Sequence, residues 1–211
     1  MMSNHPVVKL GPVSSISSFY ELSAPLIDGR VDQFKGFEGR LTLVVNIATA
    51  DFNTRNELKQ LNELLSAYSS KGLNIFAFPC NQFDGEPYEN DEILPIMHYV
   101  RPGGKFEPRF KIFAKCEVNG MKASPLFEYL RMKLPRPDND DDIIISREKQ
   151  VPWTPVKRQD IGWNYEKFLI NYDGQPVRRY THKADIELIK KDIEHFQKKI
   201  PRTVREQHGL H

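Results

Sequence analysis

Apolar and polar positions change period several times along the chain, and each change marks an element. Phe19 to Ala24 alternates, Asp28-Gly29 makes a turn and Arg30 to Phe34 returns, which predicts a hairpin. Leu41-Thr42-Leu43-Val44-Val45-Asn46-Ile47 is a nearly continuous apolar, β-branched run, the pattern of a strand covered on both faces. From about Thr54 to Lys71, Leu58, Leu61, Leu64, Leu65 and Tyr68 recur at helical spacing, and Gly72 stops the helix. Leu73 to Phe78 is a second buried strand. Strand, helix, strand in that order is a βαβ unit with parallel strands and a right-handed crossover.

Downstream, CNQFDGEPYEN is a loop, and Glu92 to Tyr99 is predicted as a helix despite Pro95. Arg101-Pro102-Gly103-Gly104 is turn-rich, Phe110 to Ala114 a short strand and Val118-Asn119-Gly120 a turn. Ser124 is placed to cap a helix that opens on Pro125 and runs to about Lys133. Residues 135–160 are long and irregular, as functional, interfacial or mobile loops are. Phe168 to Asn171, Asp173-Gly174 and Val177 to Tyr180 form a second hairpin. Asp185 caps a closing helix in which Ile186, Ile189, Ile193 and Phe196 share a face. This order fits an α/β, thioredoxin-like fold: a central mixed sheet flanked by helices, with an N-terminal β-hairpin extension. Residues 1–18 are expected to be a flexible lead-in, 19–200 the domain and 201–211 a polar, frayed tail.

Composition narrows the function. A chain of 211 residues buries a core without disulfide or metal support. Thirty Lys+Arg against 28 Asp+Glu leaves +2, too balanced for a nucleic-acid binder driven by bulk charge. No apolar run is long enough to span a membrane, and the N-terminus lacks the apolar core of a secretory signal. The expected compartment is the cytosol, or the outside if an upstream signal has been removed. The two cysteines, Cys80 and Cys116, exclude a disulfide framework and an all-thiolate zinc site. His182 has no neighbour at ligand spacing, and the acidic run 138–142 reads as a solvated loop, so no metal is expected.

In an open α/β sheet, ligands sit beyond the carboxyl ends of the strands. The first strand ends in Ala48-Thr49-Ala50-Asp51-Phe52-Asn53, just before a helix, and the second in Pro79-Cys80-Asn81-Gln82. These loops should lie side by side. The N-terminus of the helix offers free N–H groups and a positive dipole end, suited to a thiolate or another anion.

The strings FPCNQF (78–83), YVRPGGKFEP (99–108), KCEVNG (115–120), SPLFEYL (124–130) and WNYEKFLINYDGQPVRRY (163–180) resemble the glutathione peroxidase family. The similarity covers roughly residues 19–199. It implies a thioredoxin fold and reduction of hydroperoxides with glutathione as co-substrate and no cofactor. The family site is a selenocysteine or cysteine with a Gln, a Trp and an Asn. Gln82, Trp163 and Asn164 match the last three. The chalcogen position follows Asn46-Ile47-Ala48-Thr49-Ala50, and here it is Asp51, with Phe52 where a Gly is common. Glutathione carries two carboxylates, so Arg101, Arg178, Arg179, His182 and Lys183 are candidate binding residues, with Arg55 or Asn56 at the helix start. Residues after Tyr99 and in 131–155 resemble the insertions of the tetrameric branch, which implies a homotetramer or homodimer.

An aspartate breaks the reaction that the resemblance implies. A thiolate attacks the O–O bond, becomes a sulfenic acid and is reduced through a disulfide. A carboxylate has no such ladder. Three readings stay open: a redox-inactive homologue or binding module on the same fold; a selenoenzyme with residue 51 substituted; or rescue by another residue. Cys80 is nearest, although its apolar setting suggests an inert buried thiol, and Cys116 reads as a bystander. Gln82 could simply satisfy loop backbone groups, with Trp163 a core aromatic and Asn164 a turn residue.

Overall fold

The computed structural model of the protein describes residues 12–138 and 151–210. Asn139 to Asp142 of the acidic run, and residues 1–11 of the expected lead-in, lie outside the described residues.

The N-terminal hairpin pairs β1 (Ser23–Pro25) with β2 (Val31–Gln33), Ala24 opposite Asp32. It is shorter than the alternation suggests because Phe19–Glu21 closes into a 3-10 turn. The Ser18 hydroxyl and the Glu21 carboxylate cap that turn reciprocally, and Phe19 and Tyr20 are buried under it. The lead-in is therefore partly ordered: Val13–Ser15 is a 3-10 turn and Ile16 is buried.

The main sheet runs β5 (Lys111–Ile112), β4 (Leu73–Pro79), β3 (Leu41–Ile47), β6 (Lys167–Ile170), β7 (Pro176–Tyr180). The first three strands are mutually parallel, and β6 and β7 return antiparallel. All of β3 is buried, as a strand covered on both faces must be. Leu41, Leu43, Val45 and Ile47 pack on one face with α1 (Thr54–Tyr68) and α4 (Ile186–Lys198). Val44, Phe76, Phe78 and Phe168 pack on the other with α3 (Pro125–Lys133) and the N-terminal hairpin.

Gly72 ends the α1 segment at φ +92°, a conformation that strains any L side chain. Asp185 caps α4 by accepting the Glu187 N–H at 3.0 Å. Ser124 sits before α3 without a side-chain capping bond. α2 (Asn90–Tyr99) begins two residues earlier than its pattern suggests, because Glu89 and Glu92 close a capping box there.

The expected frayed tail is instead a helix, α5 (Arg202–His208). Arg205 donates to the carbonyls of Ile200 (3.1 Å) and Gln197 (2.5 Å), and Leu210 covers Gly72. Pro201 before the helix and left-handed Gly209 after it are start and stop signals that the polar composition masked. Among the described residues, no helix is long and apolar enough to cross a membrane.

Candidate active site

β3 and β4 run parallel, so their carboxyl ends open at the same edge of the sheet. The β3 loop turns through Asp51 into α1. Asp51 Oδ1 accepts the Asn53 N–H at 2.8 Å, and its main-chain carbonyl accepts the Thr54 N–H (3.2 Å) and hydroxyl (2.7 Å). The carboxylate thus lies at the positive end of the helix dipole, where an anion is favoured. Only 7% of Asp51 is exposed, while the next residue, Phe52, is 79% exposed.

Asn164 is brought directly onto Asp51. Its Nδ2 donates to Asp51 Oδ2 at 3.2 Å and to the Asp84 carbonyl at 3.0 Å. Asn164 follows Trp163, whose ring lies 6.2 Å from that of Phe83 and 6.4 Å from that of His182. The Asn46 side chain donates to the Trp163 carbonyl at 3.0 Å, tying this loop to β3.

Gln82 reaches the same region indirectly. Its Oε1 accepts the N–H groups of Val118 (2.8 Å) and Asn119 (2.9 Å), and its Nε2 donates to the Asn119 carbonyl at 3.0 Å. Both ends of the amide therefore face the 117–120 turn. The Asn119 side chain passes the connection on. It donates to the Ile161 carbonyl and accepts the Ile161 N–H, each at 2.9 Å. Asn119 appears in the sequence only as part of a turn, and nothing in its spacing shows this role.

A second residue missed in the sequence is Glu86. It is fully buried, and it accepts the Thr49 N–H and hydroxyl at 2.7 Å each. Burial pushes its carboxyl up to about 7, against the opposing pull of the Thr49 bonds. The bond from Ala50 N–H to the Gly85 carbonyl, at 2.7 Å, completes this clamp on the Asp51 turn. A Cβ on Gly85 would sit 3.1 Å from the Asp51 nitrogen, so the glycine permits the close approach.

The candidate binding cations divide. Arg101 donates to the carbonyls of Ala50 (2.8 Å) and Asp51 (3.2 Å), so it holds the Asp51 loop by its backbone. Arg179 is fully buried. It pairs with Glu166 at 2.9 Å and donates to the carbonyls of Leu134, Gln159 and Asp160. That removes it from a solvent-facing binding set. Successive strand residues point to opposite faces, so Arg178 and Arg179 on β7 go to different sides of the sheet, Arg179 beneath the end of α3 and Arg178 toward α4. Arg178 is the less buried one, lying against α4 beside Asp192 at 3.4 Å and over the Phe196 ring. Lys183 is exposed, and His182 is half-buried next to Trp163. Among the described residues, no group of His, Cys, Asp and Glu could hold a metal ion.

Neither thiol lies at the helix N-terminus. Cys80 is fully buried, and burial pushes it up to about 12. Burial also pushes Cys116 well above its ordinary value.

A mixed sheet with a helix N-terminus at the end of its central βαβ unit is the thioredoxin class of fold. The solved thiol:disulfide interchange protein of the thioredoxin family from Chlorobium tepidum shares this fold. Its TM-score is 0.52 at 13% identity, covering 83% of this chain and 92% of that one. Within the class, a family model described as glutathione peroxidase matches residues 19–131. A glutathione peroxidase of Molluscum contagiosum virus subtype 1 is 45% identical over 179 residues, 84% of this chain and 81% of that protein. Glutathione peroxidase 1 of Rattus norvegicus is 43% identical over 187 residues, 88% of this chain and 93% of that protein. The crystal structure of T. cruzi GPX1 matches at TM-score 0.62 and 26% identity, covering 86% of this chain and 97% of that one. The chain belongs to the glutathione peroxidase family.

Proposed function

We propose that this family member keeps the peroxidase scaffold but does not reduce hydroperoxides at residue 51. The observation that carries this is the Asp51 carboxylate, set at the N-terminus of α1 and bonded to Asn164. It takes the place the family gives to a selenolate or thiolate. The same dipole and the same Asn amide favour a carboxylate as they favour those anions. A carboxylate, however, cannot accept an oxygen atom from a peroxide and hand it on through a mixed disulfide. The raised thiols of Cys80 and Cys116 leave little thiolate at neutral pH to act instead.

Trp163 and Asn164 complete the site in this reading, and Gln82 supports it through the 117–120 turn. Arg178, His182 and Lys183 form the rim that meets the carboxylates of glutathione, and Arg101 acts from behind by fixing the loop. Assembly as a homotetramer or homodimer and a cytosolic setting belong to the same proposal. Light scattering and cell fractionation check them. The activity is tested by coupling glutathione and hydrogen peroxide to glutathione reductase and following NADPH. The chain is expected to match the blank, and steady turnover above it would overturn the proposal. A second reading, a selenoenzyme in which Asp51 replaces selenocysteine, draws on the Asp51–Asn164 contact. It predicts a selenocysteine codon at position 51 of the native gene.

A further inference from the structure

Two thiols lie outside the Asp51 site, and a backbone bond beyond the end of the β4–β5 ladder brings their chains side by side. β4 and β5 are parallel, with Ala77 opposite Ile112 and the Phe113 N–H on the Ala77 carbonyl at 2.9 Å. Further on, the Cys116 N–H donates to the Pro79 carbonyl at 2.9 Å. In a parallel ladder, an N–H bonded to the carbonyl of residue i−1 belongs to the residue facing i. Continued past the last pair of the ladder, that geometry sets Cys116 opposite Cys80. The offset grows from 35 (Ile112 on Ala77) to 36 (Cys116 on Cys80) because Ala114 bulges away to the Pro25 carbonyl at 2.8 Å. Facing residues of a parallel pair point to the same side of the sheet. Cys80 accordingly belongs to the apolar cluster of Phe78, Phe113 and Val118, and Cys116 packs against that cluster. Neighbouring strands lie about 4.8 Å apart, inside the roughly 4.4–6.8 Å of Cα separation that a disulfide spans.

We propose that Cys80 and Cys116 form a second redox site, a dithiol that a small two-electron oxidant of the hydroperoxide class closes into an internal disulfide. Cys116 is half-buried as a residue and Cys80 fully buried, but the Cys116 sulfur is itself enclosed, so the oxidant reaches either thiol only slowly. The Cys116 sulfur attacks the peroxide O–O bond, an S–O bond forms, and the leaving oxygen departs with the thiol proton, as water from hydrogen peroxide or as an alcohol from an organic hydroperoxide. The Cys80 sulfur then attacks the sulfenic sulfur, the S–O bond breaks, and the sulfenic oxygen leaves as water with the Cys80 proton. One peroxide is reduced and two thiols are oxidised. Both thiols resist ionisation, so the closure is slow and stoichiometric rather than catalytic. The product links the end of β4 to the start of the 117–120 turn that Gln82 holds. Oxidation is thereby written beside a site residue without involving Asp51.

The test uses the full native chain with excess hydrogen peroxide and no glutathione, so it does not depend on the reading of Asp51. Both free thiols are expected to disappear together, with one cross-linked peptide joining residues 80 and 116 and no covalent dimer. Cys80→Ala should leave a sulfenic acid at Cys116 that dimedone traps, and Cys116→Ala should leave Cys80 reduced. The wild-type cross-link needs no variant to fold. Independent loss of the two thiols without that cross-link overturns the proposal, and so does oxidation of Cys80 in Cys116→Ala.

Discussion

Behind the Asp51 turn the polar groups are buried and paired; the other candidate binding residues are half-buried or exposed. The interior holds Arg179 with Glu166, Arg131 with Asp160, and the Gln82–Asn119–Ile161 chain of amide bonds. The rim holds Phe52, Arg178, His182 and Lys183. Arg178 and Arg179 are chain neighbours on β7, yet they fall on opposite sides of this divide. The Asp51 turn itself is held by Glu86 on Thr49, by the Ala50–Gly85 bond and by Arg101, and Asn164 by its bonds to Asp51 and Asp84. The helix dipole and the Asn164 amide leave the position of Asp51 a consistent place for an anion.

Breaking the interior should cost most. Arg179→Met leaves Glu166 buried without its cation, so unfolding should be easier by about 3–5 kcal/mol or folding lost, as read by denaturant titration. Gln82→Ala orphans the buried N–H groups of Val118 and Asn119. A loss of about 2–3 kcal/mol is expected, with altered Trp163 fluorescence as the loop it supports shifts.

Glu86 gives a pH signature. Its folded carboxyl, raised to about 7, lies above the unfolded value near 4.5. Between those two pH values the folded state binds more protons than the unfolded one, so stability falls as pH rises through this window. The fall should be on the order of 1–3 kcal/mol and level off above pH ~7. Glu86→Gln should flatten the unfolding midpoint over the same range, and an unchanged slope would show that another group carries it. Smallest of all, Arg178→Ala removes a long, partly exposed pair and should cost less than about 1 kcal/mol. If its cost matched that of Arg179→Met, the division into interior and rim would fail.

Much of the fold was legible from period and punctuation: the apolar run of β3, the helical stripe of α1, Gly72 and the Asp185 cap. The position of Asp51 beside Asn164 followed from parallel strands and the family strings. What stayed hidden depends on side-chain amides and carboxylates bonding backbone far along the chain. Asn119 meets Ile161 and Glu86 meets Thr49, contacts with no local pattern to betray them. Arg179 was hidden too, because strand alternation separates Arg178 from Arg179 but does not say which face buries its guanidinium. α5 was masked because its stability comes from covering Gly72 and from Arg205 on the end of α4, not from an apolar stripe of its own.

The central claim is that the missing redox atom, and not a decayed pocket, determines the activity of this protein. The direct measurement is the glutathione-coupled peroxidase rate of the chain beside that of Asp51→Cys. The account predicts no rate above the blank for Asp51 and a measurable rate for Asp51→Cys. Turnover by the unaltered chain, or a folded Asp51→Cys variant with no rate at all, would contradict it.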